Sequence, residues 1–334
     1  MSCLKLPTCT CLLGYTNATK SGHAATLGED KIKVENDKQK RKNKPRIDGR
    51  KKALEMGEQD QNTEVDISVM FYFTPAFRIY ASDPISHVKK QIASANRVLS
   101  LNKIPVKMYI FCIEELTGFV ENSDGYERMN EFILAKIKPS NLSSQDFLKT
   151  ALKPESIKKD LLKTADLAVL MTGSPAKVKG IKGANVGQSV FGPYEKIFNV
   201  QVPVAWVFPS NPLNFVHEVG HLFGCKHNRE REKNAVIGDN SNYGYLLKGS
   251  NLATIMAYNN KKHNVKIPHF SSKEHTYNGM PLGDSWNDNR SQIVRARFLV
   301  SQNGDETGKC GHHSSSCAQK CSGRCCPMYK SEED

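Results

Sequence analysis

Residues 217–228 read His217, Glu218, Val219, Gly220, His221, Leu222, Phe223, Gly224, Cys225, Lys226, His227, Asn228. The pattern is H-E-x-x-H-x-x-G-x-x-H. His217 and His221 are four apart, so on an α-helix both imidazoles project from one face, a turn apart. Two imidazoles on one rigid face can grip a single zinc ion. Glu218 comes directly after the first ligand and is free to take a proton from a water at the ion and pass it on. Gly224 tolerates positive φ, so the helix can stop there and the chain can swing back. That turn brings His227 toward the same ion, and three histidines leave a fourth position open, as a hydrolytic zinc site needs. Phe215, Val216, Val219, Leu222 and Phe223 supply an apolar side for burial against a sheet.

Downstream lies a second feature, Thr254, Ile255, Met256, Ala257, Tyr258. With these two motifs the chain resembles the metzincins, zinc endopeptidases in which a Met-containing turn comes after the extended histidine motif. More narrowly, it resembles the reprolysin-like and peptidyl-Asp metallopeptidase branch. Ile267-Pro-His-Phe-Ser-Ser and Tyr277-Asn-Gly-Met-Pro-Leu-Gly283 are similar to the segment just past the turn in that branch. Val65-Asp-Ile-Ser-Val-Met-Phe-Tyr-Phe-Thr-Pro75 is similar to its first strand. The resemblance covers roughly residues 64 to 300 and is concentrated in the two motifs. It implies an α/β fold with a twisted mixed sheet, one antiparallel edge strand lining a substrate cleft, a zinc helix, a Met-turn and a closing helix. It also implies that Met256 is a structural floor beneath the histidines. At the position of Tyr258 some members hold a zinc-binding or oxyanion-stabilising tyrosine and others a packing residue; both readings stay open.

The 334 residues allow one sizeable core with appendages, and 39% apolar content suits a folded domain. No run of about 18 apolar residues occurs, so no transmembrane helix is predicted. The net charge of +13 is concentrated locally: residues 31–52 hold eleven Lys/Arg against three Asp/Glu. Residues 1–63 are polar and basic without helical or strand periodicity, and read as a disordered leader or propeptide remnant. The run Lys38 to Arg46 has three readings: a solvated linker, a processing site ahead of the domain, or a nuclear or nucleic-acid tag. Leu4, Leu6, Leu12 and Leu13 are interrupted by Pro7, Thr8 and Thr10, so no signal peptide is evident. Cys9 or Cys11 has the chemistry to cap the zinc in a latent form.

The peptidase domain is placed at residues 64–302. Residues 65–73, 104–113, 165–171 and 202–208 are apolar and strand-like, and 186–191 reads as an irregular edge strand. Helices are predicted over 82–100, 127–138, 154–163 and 288–302, and Asn211 and Pro212 open the zinc helix. Strands alternating with helices point to an α/β sheet. Residues 173–188 and the stretch between His227 and Met256 read as loops.

Residues 303–334 are a separate, cysteine-rich tail carrying five of the ten cysteines (Cys310, Cys317, Cys321, Cys325, Cys326). Such density in a polar segment points to disulfides and an oxidising compartment, with a zinc knuckle using His312 and His313 as the rival reading. Sequons stand at Asn17, Asn141 and Asn289.

The reading is therefore a secreted or extracellular zinc-dependent endopeptidase using one Zn2+ held by His217, His221 and His227. Glu218 is general base toward a zinc-activated water, with Tyr258 as a second catalytic candidate. Protein or peptide substrates are expected, with no nucleic acid and no membrane span, and the chain is expected to act as a monomer. Two rivals remain. One is a catalytically weak or inactive zinc-binding module serving as a secreted adhesion or toxin-like ligand, against which an intact Glu218 argues. The other is an intracellular peptidase with reduced cysteines. Lys261 and Lys262, just past the Met-turn, are candidates for favouring an acidic residue after the cut; pointing into water is the competing reading.

Overall fold

β1 (Val65–Phe73) is the apolar run that the sequence marks as a buried strand, and it lies inside the main sheet. The computed structural model describes residues 52–137, 165–177, 184–189, 204–231, 242–258, 260 and 262–303, all within the compact unit Gly49–Asp334. β1 pairs in parallel with β2 (Val106–Glu115) on one side and β3 (Leu167–Met171) on the other. β5 (Val204–Val207) continues the parallel set beside β3, and β4 (Gly187–Ser189) closes the edge antiparallel to β5. The order is β2-β1-β3-β5-β4, a five-stranded mixed sheet.

Both faces of this sheet are covered, which is why its strands are apolar at nearly every position rather than at alternate ones. Ile67, Val69 and Phe71 of β1, with Val169 of β3 and Ala205 and Val207 of β5, share a core with three helices. Those helices are α3 (Pro84–Leu101), α5 (Pro212–Leu222) and α6 (Asn289–Val300). Met70, Tyr72, Leu170 and Trp206 face the other way, toward Met129 and Phe132 of α4 (Gly125–Ile137). A short α2 (Pro75–Ala81) comes directly after β1.

Side-chain caps fix where the helices begin. Thr74 accepts from the Phe77 amide at 2.9 Å, Asp83 from Ser86 at 3.0 Å, Asn211 from Leu213 at 2.8 Å, and Asp288 from Ser291 at 3.1 Å. Each satisfies an amide that lacks a partner within its helix. Proline stands at the first helical position of α2, α3 and α5, where its missing N–H costs nothing.

The expectation of disorder up to residue 63 does not hold for its last part. Residues 52–59 form helix α1, with Ala53 1% exposed. Arg297 of α6 is fully buried and donates to the carbonyls of Thr63 at 3.0 Å and Asp60 at 2.7 Å. A guanidinium with no access to water must have acceptors, and this segment supplies them. Nothing local in the sequence reveals that, because Arg297 lies more than two hundred positions away. The sequon asparagine Asn289 is fully buried and bonded to Ser271 and Asn242, so it is no glycan acceptor. The 154–163 helix, the basic run 38–46, Cys9, Cys11, the sequons Asn17 and Asn141, Lys261 and the tail beyond 303 lie outside the described residues.

The stretch between His227 and Met256, expected as a loop, carries short strands, and more follow past Tyr258. β6 (Lys226–Asn228) pairs in parallel with β7 (Tyr243–Gly244), and β8 (Leu252–Ala253) with β9 (Val265–Lys266). β10 (Thr276–Tyr277) and β11 (Met280–Pro281) form a hairpin. No helix among the described residues is long and apolar enough to cross a membrane.

Candidate metal centre

α5 carries His217 and His221 on one face while Phe215, Val216, Val219 and Leu222 anchor the helix in the core. The helix ends as its glycine predicts. Gly224 has φ +91°, and the Cys225 amide reaches back to the Gly220 carbonyl at 3.0 Å. An L side chain disfavours that conformation, so glycine is what lets the chain reverse. The Asn242 side chain then donates to the Gly224 carbonyl at 2.7 Å, and the Lys226 amide donates to the Asn242 carbonyl at 2.8 Å. These bonds hold β6 alongside α5 and deliver His227.

The result is a three-nitrogen cluster. The Nε2 atoms of His217 and His227 are 3.2 Å apart, and those of His221 and His227 2.9 Å. One ligand atom from each of the three histidines lies within 4.8 Å of the others. The opposite nitrogens are spoken for: His217 Nδ1 donates to the Ile255 carbonyl at 2.8 Å, and His221 Nδ1 to the Cys225 carbonyl at 2.7 Å. A ring that donates from Nδ1 to a carbonyl keeps its lone pair on Nε2, the nitrogen facing the cluster. Burial pushes His217 well below its ordinary pKa and His221 down to about 4, so both rings are neutral, as metal ligands must be. Three converging neutral imidazoles with backbone-fixed tautomers fit a divalent ion, and an all-imidazole donor set suits zinc among other transition metals.

Glu218 lies beside the cluster, 5% exposed. Its Oε2 accepts from the Ser189 hydroxyl at 2.6 Å, and the same hydroxyl lies 3.0 Å from the Glu218 carbonyl oxygen. Burial raises its pKa to about 7, while the Ser189 hydrogen bond and the charge of Lys266 pull the other way. The edge strand is pressed against it: a Cβ on residue 187 would stand 2.5 Å from Glu218 Oε1 and 2.7 Å from its Cγ. Sequence reasoning missed Gly187 and Ser189. The only signal was a glycine in an edge-strand candidate, which reads equally as a bulge.

Met256 is fully buried beneath α5, and Gly220 makes room for its sulfur. Thr254 shapes the turn through its hydroxyl, which accepts from the Tyr245 amide at 2.8 Å. Tyr258 is 41% exposed, its ring centroid 4.0 Å from that of His227, and its amide donates to Asn228 at 2.9 Å. Lys262 is exposed. Lys266 of β9, unremarked in the sequence, turns inward; its Nζ donates to the Ile255 carbonyl at 2.6 Å.

No family model matches the chain. It is similar to a peptidyl-Asp metalloendopeptidase of Stenotrophomonas maltophilia (strain K279a), 28% identical over 108 residues, which is 29% of this chain and 24% of that protein. The chain thus spans about a quarter of the length of that curated relative. Among solved structures, a chain from a chaperone–substrate complex superimposes with a TM-score of 0.45 at 17% identity, covering 72% of this chain and 35% of that one.

Proposed function

We propose that the chain is a zinc-dependent endopeptidase of metzincin type, acting outside the cell as a monomer on protein or peptide substrates. One observation carries this reading: three imidazole nitrogens converge with a buried carboxylate alongside, on the helix–turn arrangement that the histidine motif encodes. The metalloendopeptidase relative supports the activity class, and the cysteine-dense tail supports an oxidising destination.

His217, His221 and His227 would hold the ion. A zinc ion so held supplies Lewis acidity, polarising a peptide carbonyl and making water a nucleophile near neutral pH. The remaining work belongs to the chain. Glu218 takes the proton from the attacking water and returns it to the departing amine. Its raised pKa, about 7, suits a group that must both accept and release a proton near neutrality. Ser189 holds one carboxylate oxygen, so the group meets the water in a single orientation. β4 is the antiparallel edge of the sheet, and its main chain offers an extended peptide a partner strand beside Glu218. Met256 supports the histidine-bearing helix from below, and the Tyr258 ring packs over His227.

The deciding experiment is digestion of unfolded casein by zinc-loaded full-length protein, its Glu218→Gln variant, and protein stripped by a chelator. The expected result is cleavage by the first alone, restored to the third by zinc. Equal cleavage by all three would overturn the reading.

A further inference from the structure

The ammonium of Lys266 shares an acceptor with a metal-binding ring. Its Nζ reaches inward from β9 to the carbonyl of the fully buried Ile255 at 2.6 Å. That carbonyl already accepts from His217 Nδ1 at 2.8 Å. A carbonyl has two lone pairs, so both bonds can form, but the ring does not go unaffected. Donation from Nδ1 to an electron-rich acceptor is what makes the opposite nitrogen, Nε2, a good ligand. A charge-assisted bond is the stronger of the two and draws electron density from the shared oxygen, which weakens that support. Among the described residues no carboxylate lies within ion-pair distance of the ammonium. Glu218 is near enough to interact electrostatically, yet its carboxylate is turned to Ser189. Burying a charge without a counter-ion is costly, and this one is buried beside a cluster built to receive a second cation.

We propose that Lys266 is a positioning residue that holds down the zinc affinity of the His217, His221 and His227 centre, so that the centre fills and empties with the supply of the ion. This rests on the metal-centre reading above and adds what sets its affinity. Two effects act with the same sign. The shared carbonyl makes His217 a weaker donor. The charge itself, two hydrogen bonds from the ring, opposes any cation brought to the cluster, and a divalent one twice as strongly. Away from water the effective dielectric is lower and salt screens little, so the repulsion keeps its strength. Burial lowers the lysine to about 8, which leaves it mainly charged at neutral pH. Lys262 is exposed, and its charge is screened. A purely mechanical role predicts the reverse outcome. If Lys266 served only to hold the Ile255 carbonyl in place for His217, its loss would loosen the ring and release zinc. The sign of the change in affinity separates the two.

The test is zinc competition against a fluorescent chelator at pH 7, on full-length protein first stripped of metal. The site that counts is the one that His217→Ala weakens, which sets aside any zinc taken up by the cysteine-rich tail. Lys266→Met and Lys266→Gln, both neutral, should bind zinc at least about tenfold more tightly than the native protein. Lys266→Arg keeps the charge and should stay within about threefold of native, and Lys262→Met within about twofold. Thermal unfolding of the metal-free forms checks that each is folded, and Lys266→Gln decides if Lys266→Met is not. Affinity that is unchanged or weaker in the neutral variants overturns the proposal, as does a gain that Lys266→Arg shares in full. Zinc uptake at this site by none of the forms overturns the metal centre and the proposal together, whereas uptake with equal affinities overturns the proposal alone.

Discussion

Gly220 and Met256 are packed so closely that a Cβ on residue 220 would stand 2.5 Å from the Met256 sulfur. The contact joins the histidine-bearing helix to the turn whose Ile255 carbonyl orients His217. Gly220→Ala should therefore force the turn down, costing about 1–3 kcal/mol as an overpacked core does. Loss of stability and weakened zinc binding should appear together in thermal unfolding and metal titration. A variant as stable as the native protein would show that Met256 yields freely.

Gly187→Ala should behave differently, although the clash is as close. Its added methyl meets Glu218, a side chain that can swing away. Zinc content and melting temperature should hardly change while kcat falls by at least about tenfold, since the general base is displaced. Ser189→Ala removes the hydroxyl at 2.6 Å from the same carboxylate and should cost less than that. Glu218→Gln should cost at least about a hundredfold with zinc retained.

Each of His217→Ala, His221→Ala and His227→Ala should weaken zinc binding beyond the about 10- to 100-fold typical of losing an outer-shell partner. Metal analysis after dialysis against a weak chelator reads this directly. Retention by His227→Ala would remove that residue from the ligand set.

Lys266 gives stability a pH dependence whose sign is fixed. Its folded pKa, about 8, lies below the ordinary 10.5. Between those values the unfolded chain holds a proton that the folded one has lost, so this group's contribution rises with pH across that window. Below about 8 the full cost of burying the charge persists. Lys266→Met should therefore stabilise the metal-free protein by about 2 kcal/mol at pH 7, with the gain shrinking toward about pH 10.5. Thermal unfolding at about pH 7, 9 and 10.5 checks it; a gain independent of pH would show that packing is responsible.

Removal of residues 1–63 should destabilise the domain, whereas removal of residues 1–48 should not. The longer truncation takes away the Asp60 and Thr63 carbonyls from the buried Arg297 guanidinium, at about 3 kcal/mol. Denaturant titration of the two truncated forms distinguishes them. If processing occurs within residues 38–52, as the basic run invites, it leaves this contact intact.

What the sequence determined by itself was whatever depends on short spacing. Histidines four apart share a helix face, Gly224 takes the positive φ that ends the helix, and Asn211 with Pro212 starts it. The unbroken apolar strands announced a sheet covered on both faces. Those properties arise from backbone geometry within a dozen residues, and the cluster of His217, His221 and His227 was legible for that reason. Tertiary structure alone decided the surroundings. Ser189 and Gly187 reach Glu218 across about thirty positions, and Lys266 meets His217 through the carbonyl of Ile255. Asp60 and Thr63 supply acceptors to Arg297, far along the chain. In each case the residue type is ordinary and its role comes from the neighbour that folding provides. A serine on an edge strand, a lysine in a two-residue strand and an aspartate in a basic leader carry no periodic signal. Burial and hydrogen-bond demand, which give them their roles, exist only once the core has closed.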